Sequence, residues 1–277
     1  MTFRALAGAC AIATLLALAA PAPILAADIP TVAGSPARAP VMVAAPVRQS
    51  WYGSYIGVQG GYGFGNQAIA YTPNAAYAAL IAPGAVAGDP RGYVAGITYG
   101  TNFQLGGIVL GTESDFSFSG IKRTETLGPP IAGFPTQVTG EQQLKYFSTT
   151  RARGGFLLGD HVLIFGTGGL ASGSAESSAV FNLAAPAACA ENCPVGSRSK
   201  TLWGWTAGGG LEFAYGPWSL KADYLYYDLG NLKYDAVDPA FPAGIIATST
   251  KVSGHIVRGG LNYRFNWTFY DLLLGRW

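Results

Sequence analysis

Apolar and polar residues alternate through most of the chain after residue 50. In the last such segment Val257, Leu261 and Tyr263 share one parity, while Arg258 and Arg264 share the other. Side chains of a β-strand point alternately to its two faces, so this strand is apolar on one face and charged on the other. Such a strand either covers a soluble core or crosses a membrane in a closed barrel with its charges turned inward.

The same alternation predicts eight strands. In the fifth of them both faces are apolar, so the sequence leaves open which face turns inward. The predicted strands cover residues 52–64, 93–104, 107–118, 142–153, 162–172, 201–213, 218–227 and 255–265.

Long and short connections alternate between these predicted strands. The long ones cover residues 65–92, 119–141, 173–200 and 228–251, and the short ones cover residues 105–106, 154–161 and 214–217. This rhythm is typical of outer-membrane barrels, whose long loops lie outside the cell. We therefore predict an all-β fold: an eight-stranded antiparallel up-and-down transmembrane β-barrel with four long extracellular loops and short periplasmic turns.

Charged residues fall on the face that this barrel would turn inward. A charge facing lipid at mid-bilayer costs about 2–4 kcal/mol, whereas acids and bases that face each other in a lumen can pair. The predicted structural ion-pair network contains Glu113, Asp115, Arg151, Arg153, Glu212, Lys221, Asp223, Arg258 and Arg264, and Lys145 has the same predicted parity. Because eight strands enclose a lumen just wide enough for their own side chains, we expect it to be plugged.

Composition agrees with a barrel and argues against several functions. Charged residues make up 12% of the chain, below the roughly 25% of soluble domains, and 39 glycines favour strands over helices. A net charge of +2 without a Lys/Arg cluster argues against nucleic-acid binding. Aromatic residues near strand ends predict a girdle at the periplasmic interface, formed by Trp51, Tyr52, Tyr215, Trp218 and Phe265.

The predicted organisation has four parts. Residues 1–27 combine a short basic start, an apolar run and small residues, which is typical of a cleavable signal peptide. Residues 28–50 form a Pro- and Ala-rich periplasmic linker, residues 51–265 the barrel, and residues 266–277 a C-terminal extension. Export of a barrel by such a signal predicts the cell outer membrane as its location.

Several segments resemble a known family. They are residues 51–57, 60–63, 111–116, 151–154, 166–171, 223–230 and 257–265. In this order they resemble the outer-membrane immunogenic, or porin-family, proteins of Gram-negative bacteria, which are opacity-like eight-stranded barrels. The resemblance implies the outer-membrane bilayer and lipopolysaccharide as partners, the barrel-assembly machinery during biogenesis, and host or surface ligands bound through the loops.

The chain departs from this family at its C-terminus. Family members usually end at the aromatic residue that corresponds to Phe265, which the assembly machinery reads, but here residues 266–277 follow. These residues include Trp267, Phe269 and Trp277. The extension is therefore either an interfacial segment along the membrane, or an unusual tail or mispredicted stop.

Two constellations are candidates for catalysis. Glu113 and Asp115 share a strand face and could do acid–base work, but pairing with arginines of the neighbouring strand explains them structurally. Ser253 and His255 share a face, as in some outer-membrane lipid hydrolases, but no acid that would orient the histidine is identifiable. We expect no catalytic residue and no enzymatic activity.

The remaining expectations concern cysteines, cofactors and function. Cys189 and Cys193 lie in the third long loop, where export permits a disulfide. Two histidines and three cysteines in all predict no metal site, and we expect no cofactor. The expected function is structural and surface-exposed, in envelope integrity and in adhesion or antigenic contacts through the loops. A narrow porin for small solutes is the first alternative, and an outer-membrane lipid-modifying hydrolase the second.

Overall fold

The computed structural model describes residues 49–65, 67–78, 81–127, 137–182, 194–239, 241–268, 271 and 275. Its strands are β1 (Gly53–Phe64), β2 (Gln67–Pro73), β3 (Gly84–Gly88), β4 (Arg91–Leu105), β5 (Ile108–Leu127), β6 (Gln137–Leu158), β7 (Val162–Asn182), β8 (Val195–Tyr215), β9 (Trp218–Asp238) and β10 (Phe241–Arg264). The predicted signal peptide, nearly all of the predicted linker, and Cys189 and Cys193 lie outside the described residues.

Eight of these strands close into a ring. Its order is β1, β4, β5, β6, β7, β8, β9 and β10, with antiparallel pairing throughout. β1 pairs with β10 from Tyr55–Arg264 to Phe64–His255, so the last strand closes the barrel as predicted and the predicted fold class is confirmed. We name the end with the tight β4–β5, β6–β7 and β8–β9 connections the turn end, and the opposite end the loop end.

The strands extend well beyond their predicted lengths. β5 to β10 contain 20 to 24 residues each, whereas a tilted strand needs only about 9–11 residues to cross a bilayer. The long connections consist largely of this extra paired strand, which leaves residues 128–136, 183–194 and 239–240 between strands. In these extensions the alternation is inverted, with apolar residues inward and polar residues outward, because the outer face of a strand beyond the membrane meets water.

An apolar belt surrounds the half of the ring nearer the turn end. Val58, Trp203 and Leu220 lie on it and are exposed to 60, 72 and 63%. These residues have the parity that the sequence assigns to lipid. In β7, Leu163 and Phe165 are buried, so the structure identifies the inward face that the sequence leaves open. Among the described residues, no helix is both long and apolar enough to cross a membrane.

A bulge in β6 changes the position of one predicted lumen residue. The pairing of β6 with β7 shifts between Leu144 and Phe147, and both of these side chains are buried. Lys145 is exposed instead, with its Nζ 2.5 Å from Oε2 of the exposed Glu176. The prediction that Lys145 faces the lumen is wrong, because alternation does not continue through an inserted residue.

The first long connection contains a hairpin that fills the loop end. β2 continues along β10 where β1 leaves it, and β3 pairs with β2. Ile69 and Val86 of the hairpin, and Tyr77 and Ile81 between its strands, are buried in an apolar cluster. We name this cluster the loop-end core; its other members include Val94, Ile121, Leu144, Phe147, Ala175, Phe181, Tyr227, Leu229, Tyr234, Ile246, Val252 and Ile256.

Arg123 of β5 fastens this hairpin to the ring. Its buried guanidinium donates from Nη1 to the carbonyl oxygen of Gln67 in β2 at 3.2 Å, and from Nη2 to that of Ala87 in β3. Hydrogen bonds from a charged donor contribute about 1.5–3 kcal/mol. Arg123 therefore joins two strands that have no ladder to β5 in the described sheet order.

Arg123→Ala is expected to loosen the hairpin without opening the ring. Amide hydrogen exchange in β2 and β3 should accelerate about tenfold or more, while exchange in β7 to β9 stays unchanged. Arg91→Ala is the matched control, because Arg91 forms an exposed pair with Asp89 at 3.4 Å. Equal exchange rates in the two variants would contradict the fastening role of Arg123.

At the turn end, Trp51 points into the ring. It is 1% exposed and packs with Val109, Leu163, Phe165 and Ala214 in a second apolar cluster, which we name the turn-end core. Tyr215 and Trp218 are exposed on the belt, as a girdle requires, but the prediction that Trp51 joins them is wrong. The chain turns inward at Gly53, whose φ of +122° favours glycine.

The C-terminal extension continues the seam of the barrel, by which we mean the pairing of β1 with β10 that closes the ring. The Ser54 amide donates to the Trp267 carbonyl oxygen at 2.9 Å, and the Tyr52 hydroxyl donates to the Asp271 carboxylate at 2.8 Å. Within the extension only residues 266–268, 271 and 275 are described. A membrane contact of this segment stays a prediction.

Candidate functional site

Strand register brings acids and bases together inside the ring. Glu113 lies opposite Arg151 where β5 pairs with β6, and Asp223 lies opposite Arg258 where β9 pairs with β10. Side chains at opposed positions on the same face are neighbours. Eight charged residues form the ion-pair layer: Glu113, Asp115, Arg151, Arg153, Glu212, Lys221, Asp223 and Arg258.

Glu113 is the centre of the ion-pair layer. Its Oε1 lies 2.5 Å from Nη2 of Arg151 and 2.8 Å from Nζ of Lys221, which reaches it from β9 on the opposite side of the ring. Its Oε2 accepts a hydrogen bond from the Tyr55 hydroxyl at 2.6 Å and lies 3.4 Å from Nη1 of Arg153. One carboxylate thus connects β1, β5, β6 and β9.

Two further acids lie beside Glu113, toward the loop end. Asp115 Oδ2 is 2.8 Å from Nη2 of Arg151, and Asp115 Oδ1 is 3.2 Å from Nη1 of Arg258. Asp223 Oδ2 accepts from Nη2 of Arg258 at 2.6 Å and lies 3.7 Å from Nη1 of Arg151. The Thr149 hydroxyl donates to Asp115 at 2.6 Å. These contacts connect β5, β6, β9 and β10.

The fourth acid, Glu212, lies on the turn-end side of the layer. Its Oε2 accepts a hydrogen bond from Nη2 of Arg153 at 2.6 Å. Its Oε1 accepts from the Ser219 hydroxyl at 2.5 Å and from Nδ2 of Asn262 at 3.1 Å. Each carboxylate of the layer therefore has a cationic partner, and Glu113, Asp115 and Glu212 also accept hydrogen bonds from uncharged side chains.

The ion-pair layer is electrically balanced and buried. It contains four acids and four bases, and each of the eight residues is at most 4% exposed. Buried charges are stable only when they are paired, because desolvation of a single ion is expensive. The arrangement therefore joins strands across the lumen through paired charges.

Arg264, which the sequence groups with the ion-pair layer, forms no ion pair among the described residues, but it lies near enough to Glu212 and Arg153 for their charges to act on its guanidinium. Its guanidinium stacks over the Trp51 ring at 4.6 Å and donates a hydrogen bond to the Ser50 carbonyl oxygen. Arg264 lies six positions along β10 from Arg258, which corresponds to roughly 20 Å along the strand. Alternation predicts which face a residue occupies but not whether two residues lie at the same depth.

Apolar side chains border the ion-pair layer on both sides. Toward the turn end, Phe165 of the turn-end core lies under the Arg153 guanidinium, 4.2 Å from ring centre to Cζ. Toward the loop end, Phe147, Leu225 and Ile256 take the next inward positions and are buried. The side chains at both boundaries are buried, so the charges interact at a lower effective dielectric constant than in water.

Sequence reasoning missed the uncharged members of this site. Tyr55, Thr149, Ser219 and Asn262 hydrogen-bond the carboxylates, yet only their inward parity marks them in the sequence. Trp51 precedes the first strand, so no alternation applies to it. Within the described ranges, no group of three or more His, Cys, Asp or Glu side chains could hold a metal ion.

Comparison with known proteins identifies the family. The family described as outer membrane protein beta-barrel domain matches residues 12–265. The chain belongs to this family. As an outer-membrane beta-barrel, it lies in the cell outer membrane, with the apolar belt in the bilayer, the turn end in the periplasm and the loop end outside the cell.

Relatives of this outer-membrane beta-barrel are named immunogenic proteins. The chain is 36% identical over 225 residues to the 31 kDa outer-membrane immunogenic protein of Brucella melitensis, with 80% of this chain and 87% of the relative covered. It is 29% identical over 231 residues to the 25 kDa outer-membrane immunogenic protein of Brucella abortus, with 83% and 85% covered. Among solved structures, OprG from Pseudomonas aeruginosa matches with 11% identity and a TM-score of 0.43, covering 77% of this chain and 96% of that chain.

Proposed function

We propose that this outer-membrane barrel is a closed structural protein of the envelope whose extracellular strands and loops provide adhesion or antigenic contacts. The ion-pair layer carries the proposal, because four acids and four bases bridge the lumen between two apolar cores. The length of β5 to β10 beyond the belt supports a surface role. The word immunogenic in the names of the relatives supports it as well.

A conducting path through the lumen would have to separate buried ion pairs. The pair of Lys221 and Glu113 at 2.8 Å and that of Arg258 and Asp115 at 3.2 Å both cross the ring. An uncompensated buried charge costs about 3–5 kcal/mol. An eight-stranded barrel also has little room beside such side chains. Both arguments support the proposed plugged lumen.

The proposed partners are arranged by height along the barrel. Bilayer lipids and lipopolysaccharide surround the belt, and the barrel-assembly machinery acts during biogenesis. Lys122, Lys200 and Lys233 are exposed just beyond the belt, where phosphate groups of lipopolysaccharide would lie. Host or surface ligands would bind the loop end.

Planar-bilayer conductance tests the closed lumen. Wild-type protein should give no steady openings, whereas Arg153→Ala/Glu212→Ala should give more frequent brief openings, because it removes a neutral pair and two large side chains from the lumen while the two apolar cores remain. Lys145→Ala/Glu176→Ala is the control, since it removes an exposed pair and should behave like the wild type. Steady openings of the wild type would overturn the proposal and favour the narrow porin.

The proposal includes no enzymatic activity at His255. The imidazole lies among the rings of Phe64, Tyr224 and Tyr226, and its Nδ1 is 2.6 Å from the Tyr224 hydroxyl. A hydrolase orients this nitrogen with a carboxylate, whereas a phenol occupies the position here. Release of acyl chains from lipid A by the purified protein, lost in His255→Ala, would contradict the proposal.

A further inference from the structure

The chain just before β1 crosses the periplasmic mouth of the ring. Gln49 binds the β8–β9 turn twice, since its Nε2 donates to the Gly216 carbonyl oxygen at 3.0 Å and its Oε1 accepts from the Gly216 amide at 3.2 Å. The Trp51 amide donates to Oε1 of Gln104, beside the β4–β5 turn, at 2.8 Å. The indole Nε1 donates to the Asp160 carbonyl oxygen, in the β6–β7 turn, at 3.0 Å.

These contacts hold a short segment across the opening. We name residues 49–52 the periplasmic strap. β6 and β7 lie opposite β1 and β10 in the ring, so the bond to Asp160 carries the Trp51 indole to the far side of the mouth from the seam. The Arg264 guanidinium stacks on the indole at 4.6 Å, and the indole packs with the turn-end core.

The strap is held by side chains and has a hinge. Each of its hydrogen bonds to the ring uses a side chain of Gln49, Trp51, Gln104 or Arg264. The strap joins β1 at Gly53, where a Cβ atom would lie 1.9 Å from a backbone oxygen and φ is +122°. A segment held without a strand ladder can leave its site while the barrel stays folded.

We propose that Trp51 is a removable cork that closes the periplasmic mouth and leaves it by rotation of the strap about Gly53. The seated cork excludes water from the turn-end core. The withdrawn cork admits water and small charged molecules as far as the ion-pair layer. Because that layer lies farther inside, the cork can open whether or not the barrel conducts.

Thiol reactivity inside the mouth tests the cork. Ala214 is fully buried in the turn-end core next to Trp51, so Ala214→Cys places a probe behind the cork. The probe is introduced after the three native residues Cys10, Cys189 and Cys193 have been changed to serine. Folded protein in detergent micelles is treated with a charged methanethiosulfonate, and the rate of modification is followed by mass spectrometry.

Removal of the indole should expose the probe. Trp51→Ala should raise the rate of modification about tenfold or more, and Gln49→Ala should raise it less, because it frees the strap but keeps the indole. Trp218→Ala is the matched control, since Trp218 lies at the same end on the lipid-facing surface, and its rate should stay unchanged.

Folding of each variant is checked by its heat-modifiable migration in detergent gels. If folded Trp51→Ala reacts no faster than the Trp218→Ala control, the cork is excluded. If Trp51→Ala does not fold, Gln49→Ala decides, and an unchanged rate in that variant excludes a removable cork. Steady conductance of the wild type would overturn the plugged lumen but would leave the thiol result unaffected, so the two proposals fail separately.

Discussion

Glu113→Gln is expected to lower the free energy of unfolding by about 3–5 kcal/mol, because it leaves buried bases without their shared carboxylate. Glu113 contacts Arg151, Lys221 and Arg153, and its loss gives the layer a net positive charge. Glutamine keeps the size of the side chain, so the effect reports on charge rather than on packing. Urea unfolding of the barrel folded in lipid vesicles, followed by tryptophan fluorescence, measures it.

The same substitution at an exposed pair provides the control. Glu176 lies 2.5 Å from Lys145, but their side chains are 41 and 50% exposed. Exposed pairs contribute about 0–1 kcal/mol, so Glu176→Gln should unfold close to the wild type. Similar free energies for the two variants would mean that the ion-pair layer is hydrated and does not hold the strands together.

Val58→Arg is expected to destabilise the folded barrel by about 2–4 kcal/mol, because it places a charge against lipid near the middle of the bilayer. Val58 lies at the middle of β1, between Ile97 of β4 and Leu261 of β10 on the same apolar belt. The same unfolding experiment in vesicles measures the loss. The variant should also show less of the heat-modifiable folded band.

Thr124→Arg tests where the apolar belt ends on the side of the loop end. Thr124 is exposed on the part of β5 that extends past its pairing with β4. An arginine there faces water, so the free energy of unfolding should change by less than about 0.5 kcal/mol. An equally large loss at both positions would show that the bilayer covers the extended strands, and the assignment of the belt would have to move toward the loop end.

The faces of the strands are predictable from the sequence because alternation is a local property. Glu113, Asp115, Glu212, Lys221 and Asp223 all point inward as their parity requires. A residue needs only its own strand to select a face. The fold class follows from the same signal, since eight strand-like segments, seven of them alternating, with alternating connection lengths fit a closed ring better than an open sheet.

Partners across the lumen are not predictable in this way. Glu212 lies opposite Lys221 in the register of β8 and β9, yet Glu212 binds Arg153 and Lys221 binds Glu113. These contacts depend on the closure of the ring and on the depth of each residue, which are properties of the whole sheet. The same limit explains Arg264, which has the predicted parity but lies at the periplasmic rim.

Local irregularities account for the remaining differences. The bulge in β6 turns Lys145 outward, and the inward turn at Gly53 buries Trp51. The β2–β3 hairpin lies in a stretch where Gly and Ala weaken the alternation that marks a strand. None of these features has a periodic signal in a single sequence.

The seam between β1 and β10 also determines when the barrel can finish folding. Tyr55 and Arg264 pair across nearly the full length of the barrel sequence, whereas most other ring neighbours are consecutive hairpins. Non-local pairing is slow because the intervening chain must be ordered first. Until β10 pairs with its neighbours, one edge of β1 and one edge of β9 expose unpaired backbone groups. Such edges promote aggregation, and lipid cannot form hydrogen bonds with them. The interval between export of β1 and its pairing with β10 is thus the period in which this chain is most prone to aggregation.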